Sequence, residues 1–440
     1  MTADTVVDGD RLQADLEANA EFGKIETDEG RGRTVLTGTE ANRLARDRLV
    51  DRLEDAEMDV RIDAVGNTLG VWTPPSADPD AAPVVAGSHL DSVPSGGIFD
   101  GPLGVYGALE AVRSLQDRGV EPDCPIGVAS FTEEEGTRFG GGMLGSAVAT
   151  GVIDAETALS YTEDDGETNE AEGGNLANDD RVTLEEALDA IGYRGTDAID
   201  PGGWNSFLEL HVEQDVRLEA AGVPVGIVHT ITGIAQAAVR FDGEANHAGA
   251  TAMDTRRDAL VAASAFVLAV EEAGSTVARA GENTAVATVG SIAVEPNATN
   301  VVPGRVDLGV DVRDVDRAAM ERIFEELQTA LDRIESDRAV ETAFERTLDV
   351  DPAPTSERCR DAFAAAASAR DIQTTVLHSG AAHDAMHVSR VTDAGMCFVP
   401  SRDGISHSPR EWTDWADCAA GASVLAGAIE ELSTGPVDGA

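Results

Sequence analysis

Eight histidines occur in this 440-residue chain, and most of them stand in turns rich in glycine, serine or alanine that follow apolar runs. In "VAGSHLDSVPSGGIFDGPLGV" an apolar run ends at Gly87, and His89, Asp91 and Asp100 follow among glycines and prolines. The run Glu133-Glu134-Glu135, His211 in "LELHVEQ" and His407 in "GISHSP" occupy similar places. Imidazole nitrogen and carboxylate oxygen together suit zinc, manganese, cobalt or nickel. A carboxylate can bridge two such ions, which then activate a water for hydrolysis. Taken singly, each residue has a plainer reading, since a lone histidine is more often structural and a glutamate run is usually a solvated face. Their shared placement at the ends of apolar runs favours a metal-centred hydrolytic site.

The elements around them alternate. The spacing predicts an amphipathic helix over 39–57, with Leu44, Leu49, Val50 and Leu53 on one face. Strands are expected in "MDVRIDAVGNTLGVW", "APVVAGSHLD" and "CPIGVASFTEEEG", and a helix starts just after Asp100. That order predicts an α/β sheet with its site at the carboxyl edge. From about 222 the pattern changes to strand, helix (254–273), strand, strand, helix (316–334), which suits a small α+β sandwich. After about 347 the first pattern returns, with a helix near 356–369 and strands near 373 and 396. One domain, 222–346, is therefore expected to be inserted between two parts of another, 1–221 and 347–440. The polar stretch 162–181 is expected to be a surface loop.

Composition narrows the partners. With 81 acidic and 32 basic residues the net charge is -49, which argues against nucleic acid and anionic membranes as partners. Lys24 is the only lysine, and the acids are spread along the chain, a pattern that fits a halophilic protein whose self-repulsion is screened by salt. No run of about 18 to 20 apolar residues is evident, and the acidic N-terminus has no basic-then-apolar leader, so a cytoplasmic location is expected. Cys124, Cys359, Cys397 and Cys418 are far apart and form no CxxC pair, as in a reduced protein with buried thiols.

The blocks "GSHLDSVPSGGIFDGPLGV", "FTEEEGTRF", "FLELHVEQ", "GEANHAGATAMDTRRDAL", "NVVPGRVDLGVDVRDVD", "SGAAHDAM" and "GISHSPREW" resemble, in order, the zinc-dependent amidase, hydantoinase and carbamoylase group of the M20 metallopeptidase-like family. The resemblance spans about residues 60–415 and implies a catalytic α/β/α sandwich with an inserted α+β lid and dimerisation domain. It implies two divalent metal ions per subunit (Zn, or Mn, Co or Ni), with His89 and His211 on the first, Glu135 and His407 on the second, and Asp100 bridging both. Asp91 is implied to orient His89 from behind. Glu134 is implied as the general base, an assignment that depends on Gly136 anchoring the alignment. Glu133 is left as supporting or solvent-facing.

In the inserted domain the resemblance implies that His247 holds the substrate carbonyl oxygen in the transition state, reaching the metals of a neighbouring copy in a homodimer. A turn histidine that caps a helix is the plain alternative. Asn300 stands thirteen residues before Arg313, as in the family, where such a pair binds the substrate carboxylate. For Arg313 an ion pair with Asp311 or Asp314 is the alternative. Gln236 stands in for a family Gly-Gln contact, and His383 is implied to lie near the substrate or to order the metal loop. The chain departs from the family pattern at Ala382, where a glycine is usual, and at Ala252, where a proline is usual. The implied substrate is a small N-carbamoyl or ureido acid, such as allantoate or β-ureidopropionate, cleaved at a C–N amide bond with release of ammonia and carbon dioxide. The alternatives are an M20-type dipeptidase or N-acyl amino-acid deacylase, and a non-catalytic metal-binding protein, which would have no need of Glu134.

Overall fold

A computed structural model describes residues 6–163, 181–281 and 283–434. Two compact units emerge: one takes the chain up to His229 and resumes at Pro354, and the other spans Thr230–Ala353.

The first unit is built on a nine-stranded sheet. At its centre the strands Ala394–Val399, Ser206–Val212, Val84–His89 and Ile126–Phe131 lie side by side and parallel. All residues of these four strands are buried, as expected where helices cover both faces of a parallel sheet. Thr68–Trp72 and Asp59–Ile62 extend one side antiparallel, and Val225–Ile231 runs antiparallel to Ala394–Val399 on the other. One core packs the helices Gly9–Asn19, Pro102–Arg118, Glu357–Ser368 and Trp415–Thr434 against the central strands. A smaller cluster around Val65, Phe139, Leu144 and Leu188 lies apart from it. The central strands touch so closely that a Cβ on Gly87 would come 2.0 Å from the Ala129 carbonyl oxygen. The mixed α/β fold read from the alternation is the one observed.

The helix expected over 39–57 is Glu40–Asp55, started by Thr39, whose side chain accepts from Asn42 N. Its buried face is Asn42, Ala45, Arg46, Leu49 and Leu53, whereas Leu44 lies at the surface. Of the polar stretch 162–181 expected to be a surface loop, residues 164–180 lie outside the described residues.

The second unit is a four-stranded antiparallel sheet ordered Val286–Glu295, Arg305–Asp314, Gly233–Asp242, Glu341–Val350. Val306, Leu308, Val310 and Val312 alternate inward and meet the helices Ala259–Ala280 and Arg317–Arg338. The boundaries differ from those expected. The apolar stretch after 222 splits in two, because Val225–Ile231 pairs with Ala394–Val399 in the first unit and only Gly233–Asp242 joins the second. At the other end Glu341–Val350 adds a fourth strand, carrying the unit to Ala353. The first helix starts at Ala259 rather than 254, because Asp258 caps it by accepting from Leu260 N and Val261 N. That helix is 22 residues long and apolar enough to cross a membrane, contrary to the sequence expectation. Here one face of it, including Ala262, Phe266, Val270 and Val277, packs in the core of the unit.

Candidate active site

The parallel strands end at one edge, and the expected ligands of the first unit gather there. Val84–His89 terminates in His89, Ser206–Val212 carries His211, and the strand Ile126–Phe131 leads into Glu133, Glu134 and Glu135. Asp100 is brought back by a loop that ends in Gly101, the cap of the helix Pro102–Arg118. Gly101 has φ +80, and a Cβ there would lie 2.5 Å from His89 Cε1, so only glycine lets the loop pass the imidazole.

Two groups of ligand atoms form, each within 4.8 Å: His89, Asp100 and His211, and Asp100, Glu135 and His407. Asp100 belongs to both. Its Oδ1 is 3.1 Å from His211 Nε2 and 3.5 Å from His89 Nε2, while its Oδ2 is 3.5 Å from His407 Nε2. Glu135 Oε2 lies 3.3 Å from His407 Nε2. Glu134 stands outside both groups, with Oε2 3.6 Å from His89 Nε2. The neighbouring glutamates diverge because the backbone turns sharply, with Glu133 at φ 56 and Gly136 at φ 61.

The electrostatics are those of a site made for cations. Burial alone would press the His89 imidazole down, but Glu134, Asp100 and Asp91 raise it well above its ordinary value. His211 is likewise lowered by burial, yet Asp100 carries it up to about 9. Burial, then Asp384 and Glu135, pushes the Glu134 carboxyl well up, and burial with Asp100 pushes Glu135 up to about 8. With no cation the carboxylates and imidazoles must share protons, and divalent ions would displace them. His89 Nε2 is buried without a hydrogen-bond partner although it points at Asp100 and Glu134, as a metal-ligating nitrogen would. The donor set, imidazoles with carboxylates, fits zinc, manganese, cobalt or nickel.

Behind the candidate ligands the structure differs in detail from expectation. Asp91 approaches His89 Nδ1 through its backbone carbonyl at 3.2 Å, and its carboxylate stands 3.7 Å away while accepting from Glu135 N. Glu133 is fully buried rather than solvent-facing, because its Oε1 accepts from the backbone N–H groups of Arg138 and Phe139. His383 is buried too. Its Nε2 is 3.0 Å from Ser379 Oγ and its ring meets His211 edge-on at 4.6 Å, so it packs directly behind a candidate ligand. Ala382 is not among the residues at positive φ, so alanine is tolerated where the family pattern has glycine. Ala252, at φ -61 and ψ 147, keeps the conformation a proline would impose.

Three residues that the sequence reading missed hold Asp100. Gln214 Nε2 donates to Asp100 Oδ2 at 2.8 Å. Ser406 Oγ lies 2.6 Å from the same oxygen and 2.7 Å from Glu411 Oε2. Glu411 Oε1 accepts from Phe99 N and Asp100 N, and burial, then Asp100, pushes its carboxyl up to about 7. All three stand in the blocks "LELHVEQ" and "GISHSPREW", but only the fold shows that they converge. Beside His407, which is half exposed, a cleft of about 410 Å³ is lined by Gln214, Arg217, Gly380, Ala381 and Ser406.

The remaining expected residues lie in the second unit. Asn246–His247 pairs with Val301–Val302, and Ala248 N donates to the Asn300 carbonyl, so His247 and Asn300 are neighbours. His247 Nδ1 accepts from Gly249 N at 3.0 Å and Ala250 N at 3.2 Å, which leaves Nε2 as the protonated nitrogen of the neutral ring, on an exposed side chain. Arg313 is paired with Asp311, Nε to Oδ1 at 2.8 Å, and Gln236 Nε2 donates to the same carboxylate at 3.3 Å. Arg313 sits near the far end of Arg305–Asp314. Eight residues of strand, about 26 Å at the usual rise, separate it from Arg305, beside the Asn300 turn. Within one chain Asn300 and Arg313 therefore cannot close on one carboxylate.

Comparison with known proteins identifies the family. Residues 85–431 match the model of Peptidase family M20/M25/M40. The chain is 36% identical over 434 residues to an N-carbamoyl-L-amino acid amidohydrolase of Geobacillus stearothermophilus, covering 98% of this chain and 100% of that one. An allantoate amidohydrolase of Bacillus subtilis is 32% identical, with 86% and 87% of the two chains covered. The solved structure of an amidase of the hydantoinase/carbamoylase family from Burkholderia multivorans superposes with a TM-score of 0.86 at 37% identity, over 98% of this chain and 99% of that one. This chain belongs to Peptidase family M20/M25/M40, within its hydantoinase/carbamoylase amidase group, and is a hydrolase.

Proposed function

We propose that this hydrolase holds two divalent metal ions and cleaves the C–N amide bond of a small N-carbamoyl or ureido acid. The observation that carries the reading is Asp100, whose two oxygens face two separate ligand groups while Glu134 stands aside from both. His89, His211 and Asp100 would hold one ion, and Asp100, Glu135 and His407 the other. When bound, such a pair lowers the pKa of a water and polarises the carbonyl to be attacked. Glu134 then takes the proton from the attacking water and passes it to the leaving nitrogen. For an N-carbamoyl acid, one water yields the free amine, carbon dioxide and ammonia. His247 offers its Nε2–H to the oxygen that becomes anionic. Arg313 binds the substrate carboxylate, exchanging its pairing with Asp311 for it.

The work of His247 and Asn300 on a neighbouring copy belongs to the same proposal. A carboxylate touching both Asn300 and Arg313 needs the two side chains from different copies. The second unit also exposes Val261 and Leu268 on its helix Ala259–Ala280, and Val286 and Ile292 on the edge strand Val286–Glu295, surfaces suited to a second copy. The test is ammonia release by the metal-loaded protein in high salt, against N-carbamoyl amino acids, β-ureidopropionate, allantoate and ureidoglycolate. Dipeptides and N-acetyl amino acids form the opposing panel, scored by amine release. Turnover confined to the opposing panel would replace this reading with a dipeptidase or deacylase.

A further inference from the structure

The loop that carries His89 and Asp100 is wrapped around a side chain from far upstream. Arg33 has no exposed surface. Its Nη2 donates to the carbonyl oxygens of Leu90 at 3.1 Å and Asp91 at 3.4 Å, and its Nε donates to that of Gly97 at 3.3 Å. The backbone follows the same course: Arg33 N donates to the Gly96 carbonyl, Ser92 N to the Val35 carbonyl, and Val35 N to Ser92 Oγ. Both limbs of the loop thus close on one guanidinium.

Burying a cation is expensive unless its surroundings answer it. Arg33 Nη1 has no hydrogen-bond partner, and burial presses the guanidinium's pKa below its ordinary value, with Glu411, Asp91 and Asp100 offsetting only part of that cost. A side chain needed only to fill space would not carry that cost. The Asp91 carbonyl shows what the guanidinium achieves, because the same oxygen lies 3.2 Å from His89 Nδ1. With that carbonyl fixed, the neutral ring that a metal requires keeps its proton on Nδ1, and Nε2, on the Asp100 side, is the nitrogen offered to the ion.

We propose that Arg33 is a positioning residue for the metal centre: it grips the Leu90, Asp91 and Gly97 carbonyls, holds the Asp91 carbonyl against His89 Nδ1–H, and so aims His89 Nε2 at the first ion. The proposal rests on the two-metal reading above. A planar fork with five donors can reach carbonyls on both limbs at once, whereas a lysine ammonium is a point donor on a flexible stem.

The test is a Co²⁺ titration in high salt, followed by visible absorption, on the wild type, Arg33→Lys, Arg33→Gln and Ser92→Ala. Ser92→Ala loosens the same loop by removing the acceptor of Val35 N while leaving the guanidinium in place. Both Arg33 variants should bind Co²⁺ about 10- to 100-fold more weakly than the wild type, the usual effect of losing an outer-shell partner. Ser92→Ala should lower the melting temperature and leave the affinity unshifted. At saturating Co²⁺ the Arg33 variants should show reduced kcat with an unchanged KM. Wild-type affinity in folded Arg33→Lys and Arg33→Gln would overturn the proposal. So would failure of both to fold, which would assign Arg33 a purely structural role. Failure of the wild type itself to bind Co²⁺ would instead refute the two-metal reading.

Discussion

Glu134→Gln should separate activity from stability in opposite directions. Glu134 lies mostly out of solvent beside Asp384, Glu135 and Asp100, and desolvation with these like charges pushes its carboxyl well above the ordinary range. A neutral isostere removes that conflict, so the metal-free variant should melt no lower than the wild type, and higher as pH rises. The sign follows from the raised folded pKa: ionising this acid costs the folded state more than the unfolded one. The wild type therefore loses stability as pH rises from the unfolded value through the folded one, and the variant does not. Turnover should move the other way. Losing a general base costs roughly 10² to 10⁴ in kcat, which is about 2.7 to 5.4 kcal/mol of barrier. Because Glu134 lies outside both ligand groups, the variant should keep its full metal content. The assays are calorimetric melting of the metal-free protein at several pH values, metal content by mass spectrometry, and ammonia release. Loss of an ion would exchange the roles of Glu134 and Glu135, and a kcat near wild type would remove Glu134 from the chemistry.

Arg313→Lys should raise KM for carboxylate substrates with little change in kcat, because an ammonium cannot reproduce the fork now engaged by Asp311; unchanged steady-state kinetics would reduce Arg313 to a surface ion pair. Glu134→Gln and His247→Ala homodimers should each be nearly inactive, and subunit exchange between them should restore about a quarter of wild-type activity, since half the dimers are mixed and each has one intact site. Absence of recovery, with exchange confirmed by mass, would confine His247 to its own subunit or remove it from the chemistry. Gly101→Ala combines a strained positive-φ backbone (φ 80, ψ -63), which costs about 1–3 kcal/mol, with a Cβ 2.5 Å from His89 Cε1. It should lower the melting temperature and weaken metal binding together, and a variant with wild-type metal affinity would show that the loop yields without moving His89.

The gathering of His89, His211 and the glutamate run at one edge was legible because these residues stand at or just beyond the ends of buried parallel strands, whereas Asp100 and His407 come from loops. His89 after Val84–Ser88 and Glu135 after Ile126–Phe131 are of this kind. The supports of Asp100 were not legible, because Gln214, Ser406 and Glu411 lie 114 to 311 residues away in the chain and meet it only through the fold. Arg33 was hidden for the same reason, since a lone arginine in a short N-terminal strand gives no sign of burial. The entry into the second unit was misplaced because "VPVGIVHTITGIAQAAV" is apolar throughout, and hydrogen-bond partners alone divide it at Thr232. The spacing of Asn300 and Arg313 suggested a single clamp, but an extended strand between them keeps them apart.

The central claim is that Asp100 joins two metal ions at one centre. Its most direct test is the metal content of the wild type and Asp100→Ala after loading with Zn²⁺ or Mn²⁺ and equilibrium dialysis. Two ions per chain in the wild type, and loss of both in a folded Asp100→Ala, is the result expected from a shared carboxylate. One ion per chain in the wild type, or two retained in Asp100→Ala, would contradict it.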